Sequence, residues 1–214
     1  MEILTQLIDL FLHLDRHLAE IIQQYGGWTY LILFLIIFAE TGLVVTPFLP
    51  GDSLLFAAGA FTGMGHLNLA AVFLTLSAAA VLGDTANYWI GKYLGDWIVH
   101  RPGTRWVKKE HIELTHSFFE RYGGKTIILA RFVPIIRTFA PFVAGIGAMT
   151  YGRFIVYNVV GGVLWVAICV GGGYWFGGLE IVRKNFSLVV LAIVVISILP
   201  AAVEYVRHRR RVAV

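Results

Sequence analysis

Four charged residues stand where charge is costly. Glu40 and Asp52 bracket a segment containing Pro47, Pro50 and Gly51, and Arg131 and Arg137 bracket Pro134, all within otherwise apolar sequence. A charged side chain at the centre of a bilayer costs about 2.5–3.5 kcal/mol on insertion scales, so each of the four demands a partner or water. Arginine presents a planar fork of donors suited to bidentate recognition of phosphate. A carboxylate taken out of water holds its proton more readily and can exchange it near neutral pH. Arg131 and Arg137 are therefore candidate head-group ligands, and Glu40 and Asp52 candidate proton carriers. The alternative is a purely structural one, in which the two acids pair with the two arginines and staple the chain. Asp84 is a third candidate acid, for which an interhelical hydrogen bond is an equal explanation.

These residues sit on segments of unequal length. About 20 apolar residues are needed to cross a bilayer as a helix. Residues 154–179 carry no charge over that length; residues 67–95 carry Asp84 and Lys92, and 186–203 is nearly long enough, flanked by Lys184 and Arg207. Residues 28–39 and 53–64 are shorter, and so are 126–130 and the apolar residues that follow Arg137 up to Met149. Proline removes a backbone donor and interrupts a helix, and an interrupted backbone survives in lipid only where protein or a wet cavity covers it. The economical expectation is two re-entrant hairpins, with Pro47, Pro50 and Gly51 breaking the first and Pro134 the second.

Composition agrees with a bilayer setting. The 214 residues are 58% hydrophobic and 14% charged, against about 45–50% apolar and 25% charged in soluble domains. That excludes a disordered chain, a disulfide scaffold and a soluble nucleic-acid binder. The net charge of +4 belongs to basic residues beside apolar spans, which set orientation. The single cysteine, Cys169, permits no intrachain disulfide. Residues 3–24 read as an amphipathic helix with Asp9, His13, Arg16 and Glu20 on one stripe rather than as a cleaved leader.

The two hairpins match in sequence. Tyr25-Gly26-Gly27-x-Thr29 recurs as Tyr122-Gly123-Gly124-x-Thr126, Ala58-Gly59 as Ala144-Gly145, and Tyr88-Trp89-x-Gly91 as Tyr174-Trp175-x-Gly177. Seven Lys and Arg residues lie between 92 and 125, and Arg207, Arg209, Arg210 and Arg211 follow the last span. Both regions are expected on the cytoplasmic side. The halves then have opposite topology, an arrangement used by transporters with broken helices meeting at the midplane.

Other motifs carry less. Gly123-Gly124-Lys125-Thr126 resembles the end of a phosphate-binding loop, but Phe119 stands where that loop needs glycine. The seven histidines form no metal-ligand spacing on a helix, and His111 and His116 fall in polar sequence. Gly91-x-x-x-Gly95 and Gly173-x-x-x-Gly177 are explained by close helix packing. Trp28, Trp89, Trp106 and Trp175 read as interface anchors.

Three runs resemble the DedA family of bacterial inner-membrane proteins. They are Phe38-Ala39-Glu40-Thr41-Gly42 with Pro47-Phe48-Leu49-Pro50-Gly51-Asp52-Ser53; Gly83-Asp84 with Asn87-Tyr88 and Gly91; and Ala130-Arg131-Phe132-Val133-Pro134-Ile135-Ile136-Arg137-Thr138-Phe139 with Ala144-Gly145. The resemblance covers nearly the whole chain. It implies two re-entrant hairpins and likeness to the lipid scramblases of eukaryotic endomembranes. It also implies a role in returning undecaprenyl phosphate across the membrane, driven by the proton motive force. The family's essential acids and arginines match Glu40, Asp52, Arg131 and Arg137.

The expected protein is an all-α polytopic membrane protein without enzymatic activity or cofactor. An amphipathic helix spans 1–24. An inverted-repeat core spans 25–179, with repeats 25–95 and 122–179 around a cytoplasmic loop 96–121. A last transmembrane helix and basic cytoplasmic tail span 180–214. Arg131 and Arg137 bind the head group of an anionic lipid, Pro134 frees backbone donors toward it, and Glu40 and Asp52 exchange protons; the partners are that lipid and protons, without nucleic acid. Homo-oligomer formation is left open. A proton-coupled exchanger of a small cation or solute, and a non-transporting scaffold, are the competing readings.

Overall fold

A computed structural model describes residues 24–43, 51–100 and 109–177, together with 179, 180, 182, 189 and 192. The helix expected over 1–24, Pro47 and Pro50, and the span and tail expected over 180–214 lie outside the described residues, apart from those few positions. Every regular element among the described residues is helical: α1 Trp28–Gly42, α2 Gly51–Gly63, α3 Leu69–His100, α4 Lys109–Tyr122, α5 Thr126–Ala130, α6 Pro134–Val143 and α7 Tyr151–Gly177, with a 3-10 turn at Gly123–Lys125 and a π turn at Ala144–Ala148 that continues α6.

Length sorts these helices. Within α3, Leu69–Leu94 is long and apolar enough to cross a membrane, as is all of α7. α1 and α2 have 15 and 13 residues, or about 20–22 Å at 1.5 Å per residue, short of a hydrocarbon core of about 30 Å. The outward faces of the long helices are apolar: Leu74, Leu82, Val156, Val160 and Ile168 are all exposed. Water would penalise such a surface, whereas lipid accepts it.

The chain divides into two compact units, one of residues 1–34, 50–76 and 166–214 and the other of 35–49 and 77–165. In the first, α2 lies against the C-terminal half of α7. A Cβ at Gly59 would collide with the Val170 carbonyl, one at Gly63 with the Tyr174 carbonyl, and one at Gly173 with the Phe56 carbonyl. Glycine is required there because backbone meets backbone. α2 ends where the His66 and Gly65 N–H groups turn back onto the Phe61 and Thr62 carbonyls, with Gly65 at φ +82°; this glycine-dependent C-cap satisfies the last carbonyls. Asn68 then caps α3 through its side-chain oxygen on the Ala71 N–H.

In the second unit the corresponding approach is α6 against α3. A Cβ at Gly91 would collide with the Phe142 carbonyl and one at Gly145 with the Tyr88 carbonyl. Tyr88, Phe119, Ile127, Ile136, Val143 and Phe154 fill the core behind it. The stretch expected as a loop over 96–121 is different: α3 runs on to His100 and α4 occupies 109–122. The reason is helical spacing. Thr115 and Phe119 are buried one turn apart while Glu113, His116 and Glu120 stay exposed.

The two Tyr-Gly-Gly-x-Thr motifs adopt the same local conformation. Gly26 and Gly123 have φ +50° and +57°. Thr29 and Thr126 each donate their N–H to the glycine carbonyl three residues back, and both threonines are fully buried.

Candidate functional site

The second unit gathers the charges. Between α5 and α6 the helix is interrupted at residues 131–133. Val133, before the proline, is extended (φ −126°, ψ 103°), and Pro134 opens α6. This is the conformation that proline imposes on its predecessor, and the first turn is the one place in a helix that needs no N–H. The N–H groups of Arg131, Phe132 and Val133 bond back to Ile128, Leu129 and Ala130. The break thus falls where Pro134 places it, but these three donors are already used.

The break aims two arginines at two different acids. Arg137 Nη2 donates to Glu40 Oε1 at 2.6 Å, with the side chains 10% and 3% exposed. Arg131 Nη2 donates to Asp84 Oδ2 at 2.5 Å, both side chains being almost fully buried. It also donates to Asn158 Oδ1 at 2.7 Å. Pairing of Arg137 with Glu40 agrees with the expected pairing of these acids and arginines. The partners of Arg131 are Asp84 on α3 and Asn158 on α7, so Asp84 moves from third candidate to the core of the cluster. Asp52 belongs to the other unit, half-buried in the first turn of α2 behind buried Gly51.

Local packing fixes each member. A Cβ on Gly83 would collide with Thr41 Oγ1, which brings α1 and α3 together beside Glu40 and Asp84. Asn87, one turn beyond Asp84, donates through Nδ2 to the Thr41 carbonyl (3.2 Å) and the Thr138 carbonyl (2.9 Å), tying α1, α3 and α6. Asn158 Nδ2 donates to the Val81 carbonyl at 3.0 Å, so its oxygen must face Arg131. Trp165 lies beneath both arginines: their guanidinium carbons are 5.6 Å (Arg131) and 5.1 Å (Arg137) from its ring centroid. An indole face attracts a cation, the more so when dry.

Satisfaction is incomplete. Both Nη2 hydrogens of Arg131 are used, yet among the described residues its Nε and Nη1 have no hydrogen-bond partner, and neither has Asp84 Oδ1. Leaving a buried charged donor unmade costs more than the roughly 1–3 kcal/mol of a neutral one. Among the described residues no cluster of His, Cys, Asp and Glu could hold a metal. Asn158 and Trp165 were not singled out by sequence; a lone amide inside an apolar span was the available signal.

Two helices long and apolar enough to cross a membrane, with apolar outer faces, are consistent with a membrane protein. Its family follows from comparison: residues 49–175 match the VTT domain, and the chain belongs to the VTT-domain, or DedA, family. It is 50% identical over its whole length to protein DedA of Escherichia coli, covering 98% of that protein. It is 42% identical to an uncharacterized membrane protein of Mycobacterium tuberculosis (83% of this chain, 79% of the relative). It is 33% identical to the inner membrane protein YqjA of Escherichia coli (86% and 83%). No solved structure matches.

Proposed function

We propose that this protein is a lipid transporter of the bacterial inner membrane that moves an anionic phospholipid head group, undecaprenyl phosphate being the substrate the family resemblance favours. The observation that carries this reading is Arg131, a buried guanidinium with Nε and Nη1 unpartnered among the described residues, beside a second buried arginine. Family membership supports transport, since the family is linked to membrane transport and lipid scrambling. The inner-membrane name of the relative YqjA supports the location.

In this reading two inverted repeats each supply a re-entrant hairpin, and the C-terminus is cytoplasmic. The matching turns at Gly26 and Gly123 and the parallel use of Gly59 and Gly145 support the repeat. Arg131 and Arg137 receive the head group while the acyl chain stays in lipid. Glu40 and Asp52 exchange protons and couple the cycle to the proton motive force. Arg131→Lys impairs transport, because a point charge replaces a fork.

The test is head-group translocation in proteoliposomes, comparing wild type with Arg137→Ala on undecaprenyl phosphate and on a neutral lipid, with and without a pH gradient. Movement of the phosphate lipid alone, lost in the variant and steeper with the gradient, is expected. A folded wild type that moves neither lipid overturns the reading.

A further inference from the structure

Beside the shared Nη2–Oδ2 bond of Arg131 and Asp84 lie two kinds of unpartnered group. Arg131 offers three N–H donors, one on Nε and two on Nη1, and Asp84 offers the acceptor Oδ1; all are buried and without a partner among the described residues. Asn158 completes Nη2 and, being held by the Val81 carbonyl, cannot turn away to expose it. Gly161 keeps the ground beside Nε clear, since a Cβ there would lie 3.5 Å from that atom. Glu40, Asp84, Arg131 and Arg137 sum to zero formal charge, so nothing in the cluster attracts a dianion over a monoanion.

A ligand that satisfies this arrangement must accept at two or more atoms and donate at one. A hydrogen-phosphate monoester does both: its anionic oxygens accept from Nε and Nη1, and its single P–O–H donates to Asp84 Oδ1. A phosphodiester carries the oxygens but no proton, and its anionic oxygen would face the Asp84 carboxylate. We propose that Asp84 is a specificity residue that selects phosphate monoesters over phosphodiesters at Arg131, with Asn158 as the positioning residue that fixes which donors are presented. The proposal rests on Arg131 being the head-group ligand of the reading above, and adds to it the discrimination between two classes of head group. The monoester arrives either as a lipid head group or as free phosphate.

The test measures binding, not transport, by calorimetry on the purified full-length protein. Three probes are titrated: short-chain phosphatidic acid (monoester), short-chain phosphatidylglycerol (diester) and inorganic phosphate. Wild type is expected to bind the monoester lipid about ten-fold or more tighter than the diester, the scale of one charge-assisted hydrogen bond. Asp84→Asn keeps an acceptor for Nη2 and removes the carboxylate, so diester binding rises and the preference collapses. Misfolding cannot produce that gain. Asn158→Asp is nearly isosteric and still accepts from Nη2, but sets a second anion on the guanidinium, so affinity for both lipids falls about ten-fold.

Unchanged selectivity in Asp84→Asn, or wild-type affinity in Asn158→Asp, overturns the proposal. Inorganic phosphate that competes with phosphatidic acid supports a shared oxyanion receptor; tight phosphate binding without lipid binding assigns the ligand to solution and overturns the lipid source. Selective binding in a protein that translocates nothing leaves the inference standing while the transport reading fails.

Discussion

In one compact unit α2 meets α7 across Gly59, Gly63 and Gly173, backbone against backbone. In the other α6 meets α3 across Gly91 and Gly145 in the same manner, but α1, α3, α7 and the break before α6 add two buried ion pairs, two amide bridges and an indole. Among the described residues of the first, no buried ion pair accompanies the contact between α2 and α7. Shape suffices to pack apolar helices, so the polar cluster is not needed for packing. Replacing buried ion pairs with hydrophobic residues is often neutral or stabilising in proteins. The proposed function reads this cluster as a site, and the competing reading as a staple makes different predictions.

The sharpest way to break this contrast is Arg137→Ala. It leaves Glu40 buried without its arginine and costs about 3–5 kcal/mol, read as a lowered unfolding midpoint in detergent, with translocation abolished. The double variant Glu40→Gln with Arg137→Gln separates the two roles. Neither buried charge is then left alone, so most of the stability returns while translocation stays lost; intact translocation would make the cluster a staple after all. In the unit where α2 meets α7, Gly173→Leu drives a side chain into the Phe56 carbonyl and costs about 1–3 kcal/mol by overpacking. Thermal unfolding shifts while calorimetric affinity for phosphatidic acid does not. The smallest effect belongs to the exposed pair His116–Glu120, 3.6 Å apart on α4. Glu120→Gln changes stability by less than about 0.5 kcal/mol in the same thermal assay.

Much of the site was legible because charge in apolar sequence is conspicuous. Arg131, Arg137 and Glu40 announced themselves, and Pro134 fixed the break through the backbone of its neighbours. Asp84 is visible in the sequence without standing out, since one acid in a long apolar helix is explained equally well by a hydrogen bond. Asn158 and Trp165 were not legible: an uncharged amide barely interrupts an apolar run, and Trp165 looks like the other tryptophans until its burial is known. Trp28 and Trp175 are largely exposed, as their reading as interface anchors requires, whereas Trp165 is 1% exposed. The helix over 109–122 was hidden by its own polarity: exposed Glu113, His116 and Glu120 alternate with buried Thr115 and Phe119. The partner of Arg131 depended on the approach of α3 and α7, which no spacing along the chain records.

Trp165 has a practical consequence. Its indole shares its environment with two cations, and an indole excited state carries a large dipole whose emission energy follows nearby charge. The six tryptophans of the chain include only this one within reach of both guanidiniums among the described residues. A variant retaining Trp165 and carrying phenylalanine at the other five positions would therefore be a built-in optical gauge of the cluster. Its emission would shift when an oxyanion adds charge beside Arg131, which would make occupancy readable in real time, in reconstituted vesicles, without a label.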